Sequence, residues 1–385
     1  MIKRGFKLIE YENRLERVQS MMSCYKIDIL LITSEFFMRY FTGFSTQFWQ
    51  SPTRPWFLII PLKGFPKAVI PEIGFSAMQK TWIKEIYSWP SPRPEDEGIS
   101  VILSLIKEIP SKFNNIGAEL GREMSLRMPL IDFFSLKSNI TQNIIDASTM
   151  LWELRMIKSN AEIEKINHIC KMTSDAYDNL PTLIKAHDTE RDIFRKFKID
   201  LISRGVDSVP FLPVISGEGG ISQIIYEPSD RFLKNGDILF IDTGSTYDGY
   251  FCDFDRNYSI GKVSDIVNDV YEILWIATQS AIDIAKPGIT LSDLWQIMVE
   301  KLDKYLPKNY SYGRFGHGMG LQLTEPPSIT FDNKMELVSN MVLTIEPSIE
   351  FLPGKIMVHE ENIVITESGA ELLTTRASYN IPEIL

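Results

Sequence analysis

The stretch Ile238-Leu-Phe-Ile-Asp-Thr-Gly-Ser-Thr-Tyr-Asp-Gly-Tyr-Phe-Cys-Asp-Phe-Asp-Arg256 decides how this chain is read. Its apolar start reads as a buried strand that Asp242 closes. A turn-rich link from Gly244 to Gly249 follows, and Asp253 stands on the returning segment. A hairpin of this kind brings the two carboxylates together. Two acids at the ends of apolar strands repel each other and resist desolvation, so a divalent cation is their natural partner. A pair of ordinary turn or edge aspartates is the alternative.

Three further residues downstream extend the pattern. His317 sits in Arg314-Phe-Gly-His-Gly-Met-Gly-Leu321, where glycines allow close backbone packing and the imidazole supplies a nitrogen ligand. Glu346 follows the apolar run Met341-Val-Leu-Thr-Ile345, and Glu360 stands within Ile356-Met-Val-His-Glu-Glu-Asn-Ile-Val-Ile365, which reads as one buried strand. Acids inside such runs are expensive. Four carboxylates balance two divalent cations, and one nitrogen among oxygen donors suits manganese, cobalt, iron or zinc better than a thiolate site would.

Composition sets the frame. At 385 residues the chain exceeds one ordinary core, and 44% hydrophobic with 23% charged residues reads as globular protein of two domains. A net charge of -10 with no long Lys/Arg run excludes a nucleic-acid footprint. Cys24, Cys170 and Cys252 are widely spaced and odd in number, which makes neither a disulfide framework nor a zinc knuckle and points to a reducing compartment. Acidic residues interrupt the N-terminus before any signal-like core, and no apolar run approaches the roughly 20 residues of a membrane span. The cytoplasm is the expected location, with no membrane partner.

Along the chain, an amphipathic segment around Leu15, Val18 and Met22 precedes a strand at 27–32, and apolar strands follow at 56–61 and 68–71. After a proline-rich loop at 89–94, residues 99–109 read as helix and 115–120 as strand, giving an α/β domain over residues 1–150. A second domain spans 151–385. Ser159-Asn-Ala-Glu162 and Thr189-Glu-Arg-Asp192 are capping boxes that each open a helix, the second with aspartate as the weaker closing partner. From Pro210 onward strands are expected to dominate.

With these residues in hand, the chain resembles the pita-bread metallohydrolases: aminopeptidase P, prolidase and methionine aminopeptidase, with creatinase as a metal-free relative. The resemblance rests on Asp-Thr-Gly at 242–244, Asp-Phe-Asp-Arg at 253–256, Gly-His-Gly-Met-Gly at 316–320, Glu-Pro at 346–347 and His-Glu-Glu-Asn at 359–362. Leu154-Arg-Met-Ile-Lys-Ser159 resembles the helix that opens the family's catalytic domain, and Phe41-Thr-Gly-Phe44 a marker of its N-terminal domain. It implies an α/β N-terminal domain followed by an α+β pita-bread domain, and a hydrolase of a C–N bond in a small, carboxylate-bearing, Xaa-Pro-type substrate. It also implies two metal ions bridged by Asp253 and Glu360, with Asp242 on one and His317 and Glu346 on the other.

The chain departs from that pattern at several places. Where the peptidases carry a histidine before the segment resembling Tyr226-Glu-Pro-Ser-Asp-Arg231, this chain has Ile225. Where they carry His-Glu-x-Pro, it has Thr324 before Glu325-Pro326. Among its four histidines, His168 and His187 lie in the early part of the second domain, so no nearby substitute is evident. Ile225 would line the substrate, and Thr324 with Glu325 would occupy the proton-handling position, with neither Ile nor Thr able to act as an imidazole does. Asp255 stands where the family commonly has threonine. Two places from Asp253 on a strand, it faces the metals as an extra ligand or base, or else is a solvated acid. His359, flanking Glu360, should face away as a structural residue.

The aromatic segment Gln47-Phe-Trp-Gln-Ser-Pro-Thr-Arg-Pro-Trp56 has two readings. One is core and rim. The other is the resemblance to a loop that, in creatinase-like dimers, reaches into the partner's site. Arg54 would then anchor a substrate carboxylate and Trp49 or Trp56 would seal the site of the other chain in a homodimer. A metal-dependent lyase of the dimethylsulfoniopropionate type and a non-catalytic binding module remain as alternatives to the hydrolase. Gly244 counts against the lyase, and the intact ligand set against the binding module.

Overall fold

The computed structural model describes residues 2–51 and 54–384. The chain divides into two compact units that meet between Arg155 and Met156, with Ile2 counted in the second, where its carbonyl accepts from the Tyr247 hydroxyl.

The first unit runs α1 (Leu8–Cys24), β1 (Ile29–Ile32), α2 (Glu35–Thr42), β2 (Phe57–Pro61), β3 (Lys67–Pro71), α3 (Phe75–Met78), β4 (Glu85–Trp89), α4 (Ile99–Glu108), β5 (Asn115–Ala118), α5 (Leu130–Ser138), β6 (Asn143–Asp146) and α6 (Ser148–Met156). Its six strands lie in the order β4-β3-β2-β1-β5-β6. The β1–β2 and β2–β3 pairs are antiparallel and the rest parallel, so the sheet is mixed. Every residue of β1 is buried, as expected of a central strand covered on both faces. Ile102, Leu105 and Ile106 of α4 pack on one side against Ile29, Leu31 and Ile59. The Phe41-Thr-Gly-Phe44 marker has a local cause: Gly43 ends α2 at φ 73°, and a Cβ there would lie 2.2 Å from the Tyr11 hydroxyl.

The second unit opens with α7 (Asn160–Leu183) and α8 (Glu190–Ser203). Both expected capping boxes close. Glu162 N donates to Ser159 Oγ at 3.2 Å while Ser159 N donates back to Glu162 Oε2 at 2.9 Å, and Asp192 closes its box on Thr189 equally well. Then come β7 (Ser208–Phe211), β8 (Val214–Glu218), β9 (Asp237–Tyr247), β10 (Tyr250–Phe251), β11 (Phe254–Ile260), α9 (Asp265–Ile284) and α10 (Leu291–Leu302). The chain ends with β12 (His317–Gly318), β13 (Glu325–Ser328), β14 (Val342–Ile345), β15 (Ser348–Leu352), β16 (Lys355–Val358), β17 (Glu361–Ile365), β18 (Ala370–Leu372) and β19 (Glu383–Ile384). One sheet is centred on β9, which pairs with β7, β8, β10 and β11; a second runs β13-β12-β14-β17-β18.

Strands dominate after Pro210 as expected, interrupted among the described residues by α9 and α10, and two finer expectations are corrected. Val267, Val270, Tyr271, Leu274, Ala277 and Ala281 form the buried stripe of α9, and Thr290 caps α10. Strand β9 does not end at Asp242; it continues buried through Gly244 to Tyr247, and the turn is confined to Asp248 and Gly249. The residues from Ile356 to Ile365 are not one strand, since the chain breaks between β16 and β17 at His359 and Glu360. That break frees Glu360 from the strand alternation.

Candidate metal centre

The site lies wholly within the second unit, where the β9–β11 sheet, the His317 strand and the break before β17 present their acids to one another. Asp253, His317 and Glu360 each offer a ligand atom within 4.8 Å of the others. His317 Nε2 lies 3.4 Å from Asp253 Oδ2. The imidazole is fixed from behind: Nδ1 is 2.8 Å from the Gly318 carbonyl, and the His317 amide donates to Thr344 Oγ1 at 3.1 Å. With Nδ1 donating to that carbonyl, the Nε2 lone pair is free to bind a metal. Burial, then the Arg314 charge, pushes the imidazole down to about 4, so it is neutral at pH 7.

Asp242 and Glu346 lie outside that tightest trio but couple to it. Burial, then Glu346, pushes the Asp242 carboxyl up to about 8, and burial pushes Glu346 up to about 7 against the pull of Arg314. Asp253 and Glu360 are held well above the usual carboxylate range, by burial first and by their acidic neighbours next. Asp242 Oδ1, Asp255 Oδ2 and Glu360 Oε1 are buried, and none has a hydrogen-bond donor among the described residues. Acceptors gathered in this way are costly unless cations sit among them. An oxygen-rich set with one neutral imidazole is also chemically suited to divalent transition metals, so the residues fit such ions.

Residues outside the ligand set brace it. Asn362 grips the backbone of Asp253 from both sides: its Oδ1 accepts from Asp253 N at 3.0 Å and its Nδ2 donates to the Asp253 carbonyl. Arg256 points away from the centre as expected, yet its Nη1 donates to the carbonyls of Asp255 at 2.6 Å and Glu360 at 3.0 Å, while Nη2 pairs with Glu361 at 3.0 Å. Glu361 is fully buried and also accepts from Arg376 at 3.0 Å. The signal for Glu361 and Asn362 was their place beside Glu360 in an apolar run, where a buried polar residue must have a partner. His359 has the structural environment foreseen for it, with Thr278 Oγ1 at 3.3 Å from Nδ1 and Arg376 Nη1 at 3.2 Å from Nε2.

The remaining candidates are placed as follows. Ile225 is 69% exposed and lines a cavity of about 270 Å³ together with Phe211, Pro213, Tyr226 and Lys198. The Pro213 carbonyl accepts from Asp242 N, so this cavity adjoins the Asp242 strand. Thr324 is half-buried and follows Leu323, which packs on Gly244 so closely that a Cβ there would lie 2.2 Å from it. Glu325 is engaged in a buried ion pair with Lys158 at 3.2 Å and accepts from Gln322 N at 3.1 Å.

In the first unit, Arg54 is half-buried over the Phe48 ring at 5.1 Å. Its neighbours Pro52 and Thr53 lie outside the described residues. Trp49 and Trp56 are buried in an aromatic cluster of their own unit, with ring centroids 5.7 Å apart and Phe44 5.1 Å from Trp56, the environment of the core-and-rim reading.

Known proteins resemble this chain over nearly all of its length. The profile of Metallopeptidase family M24 matches residues 164–367, and that of the Creatinase/Prolidase N-terminal domain matches residues 14–157. Among curated relatives, the probable dipeptidase PepE of Mycobacterium tuberculosis is 28% identical over 376 residues, covering 96% of each chain. The Xaa-Pro dipeptidase of Pyrococcus furiosus is 30% identical over 257 residues, 66% of this chain and 73% of its own. Among solved structures, dipeptidase PepE from Mycobacterium ulcerans superposes with a TM-score of 0.84 at 25% identity, covering 98% of this chain and 99% of its own. Recombinant prolidase from Thermococcus sibiricus gives 0.86 at 25% identity, covering 99% and 100%.

Proposed function

This chain belongs to metallopeptidase family M24, with the pita-bread fold, and from that premise we propose that it is a dinuclear metal-dependent dipeptidase. Its substrate would be a small, carboxylate-bearing dipeptide of Xaa-Pro type. The observation that carries the reading is the buried Asp253-His317-Glu360 trio with unpartnered carboxylate oxygens beside it. Asp242, Asp253, His317, Glu346 and Glu360 would hold the ions. Divalent ions bound there supply a water acidic enough to react at neutral pH and polarise the carbonyl it meets.

The protein's own groups handle the rest. Hydrolysis joins the water oxygen to the carbonyl carbon and breaks the C–N bond, and one proton from the water must reach the departing amine nitrogen. A carboxylate of the centre would carry that proton, and Glu346, half-buried where Asp242, Asp253, His317 and Glu360 are buried, is the candidate for it. Ile225 would line the substrate from the cavity it shares with Phe211 and Pro213. Ile225 and Thr324 supply no imidazole to the tetrahedral stage, so turnover of Xaa-Pro dipeptides is expected to be slow. Arg54 is the candidate anchor for the substrate carboxylate, contributed by the second copy of a homodimer.

A cytoplasmic location is part of the same reading. It is supported by three free cysteines, and no helix among the described residues is long and apolar enough to cross a membrane. The test is metal analysis of purified protein followed by a dipeptide screen with added manganese. Close to two transition-metal ions per chain and release of free amine from Xaa-Pro dipeptides are expected. An active preparation free of metal would refute the proposal.

A further inference from the structure

The β9–β11 register sets Asp255 directly opposite Asp242. Residues facing each other in an antiparallel pair project to the same side with Cβ atoms about 4.5–5.5 Å apart, and like charges so placed destabilise the pair. Asp255 is 1% exposed. One of its oxygens accepts from Asn257 Nδ2 at 3.3 Å, and the same amide donates to the Val358 carbonyl at 2.7 Å. That second bond fixes which way the amide faces. Asp255 Oδ2, Asn257 Oδ1 and Asp242 Oδ1 then remain as buried acceptors with no donor among the described residues. The adjacent guanidinium does not neutralise Asp255 by contact, because Arg256 spends its nitrogens on Glu361 and on the carbonyls of Asp255, Glu360 and Thr375. A carboxylate held dry against another carboxylate, with a buried amide oxygen beside it, is the environment of a cation ligand and not of a solvated acid.

We propose that Asp255 is a sixth protein ligand of the centre, positioned by Asn257 and binding the ion that Asp242 carries. The inference rests on the two-ion reading given above. It gives this chain five carboxylates and one imidazole. An oxygen-rich shell of that kind narrows the advantage that Zn²⁺ ordinarily holds over Mn²⁺, since carboxylate donors suit Mn²⁺ while added nitrogen or sulfur donors suit Zn²⁺.

The test uses the full-length protein stripped of metal, titrated with Mn²⁺ and with Zn²⁺ by calorimetry and melted with and without Mn²⁺. Wild type binds two Mn²⁺ ions. Asp255→Asn, which keeps the shape and the Asn257 contact, and Asp255→Thr each weaken one of the two Mn²⁺ sites at least ~10-fold and shift preference toward Zn²⁺. In both variants the metal-free melting temperature is unchanged or raised, because the unpartnered buried carboxyl that faces Asp242 is gone, while the gain in melting temperature on adding Mn²⁺ shrinks. Asn257→Ala gives a smaller loss at the same site. Both Mn²⁺ ions bound at wild-type affinity by Asp255→Asn would overturn the assignment. So would an equal drop in melting temperature with and without metal, the mark of a merely structural acceptor. Failure of wild type itself to bind Mn²⁺ would instead remove the two-ion reading and this inference with it.

Discussion

Asp242 and Glu346, with carboxyls pushed up to about 8 and about 7, hold protons in the folded protein that the unfolded chain has already released at neutral pH. Their contribution to stability is full below the ordinary carboxylate range and is lost as pH rises through 7 and 8. His317, pushed down to about 4, works the other way: its contribution is full above pH ~6.5 and is lost as pH falls toward 4. Between pH ~6.5 and 8 the carboxylates dominate. Metal-free protein should therefore melt at a lower temperature at pH 8 than at pH 6.5, and saturating Mn²⁺, by replacing protons with cations, should flatten or reverse that slope in a thermal scan. Asp253→Ala removes the carboxylate common to the tightest trio. Metal content per chain should fall toward zero and turnover with it, as elemental analysis and a dipeptide assay would record. Asp242, Asp253, His317, Glu346 and Glu360 stand out as candidate ligands in the sequence because each is a polar residue in or beside an apolar or glycine-rich run. The carboxylate–amide pair of Asp255 and Asn257 does not, because it takes a register to show that Asp255 faces Asp242.

At the scale of the element, β17 and the break before it carry the centre from behind. Glu361, fully buried, anchors Arg256 and Arg376, and Arg256 in turn holds the carbonyls of Asp255 and Glu360. Glu361→Gln removes the charge that both guanidiniums face. It should cost about 3 kcal/mol in chemical denaturation, in the range for breaking a buried ion pair, and should also weaken metal binding, since Glu360 loses its backbone support. The single strand expected over 356–365 failed because apolar alternation does not report a break. A continuous strand would have turned Glu360 and Asn362 to one face with no freedom between them. The buried stripe of α9 follows ordinary helical spacing, but its Val, Ile, Tyr and Trp content is equally at home in strands, so the pattern was masked.

At the scale of the molecule, the chain separates into two units, each with its own core, and the candidate metal ligands Asp253, His317 and Glu360 all lie in the second. Trp56 is 1% exposed in the aromatic cluster of the first unit. Trp56→Ala should cost about 3–5 kcal/mol in a denaturation experiment while leaving metal content per folded chain unchanged. The proposed homodimer predicts that light scattering finds twice the chain mass, and that Arg54→Ala raises KM for carboxylate-bearing dipeptides more than it lowers kcat. A monomer with full activity would remove Arg54 from the site.

The sequence by itself determined that acids and an imidazole stand in or beside apolar or glycine-rich runs, where isolated charges do not survive, and this was enough to read a metal centre and a family resemblance. Which tryptophans are core, where β9 ends, that Asn362 and Arg256 brace the ligands, and that Asp255 opposes Asp242 were decided only in the tertiary structure. The physical reason is that burial cost is a property of one residue in its local run. Register, strand breaks and hydrogen-bond partners are properties of two segments that meet only when the chain is folded.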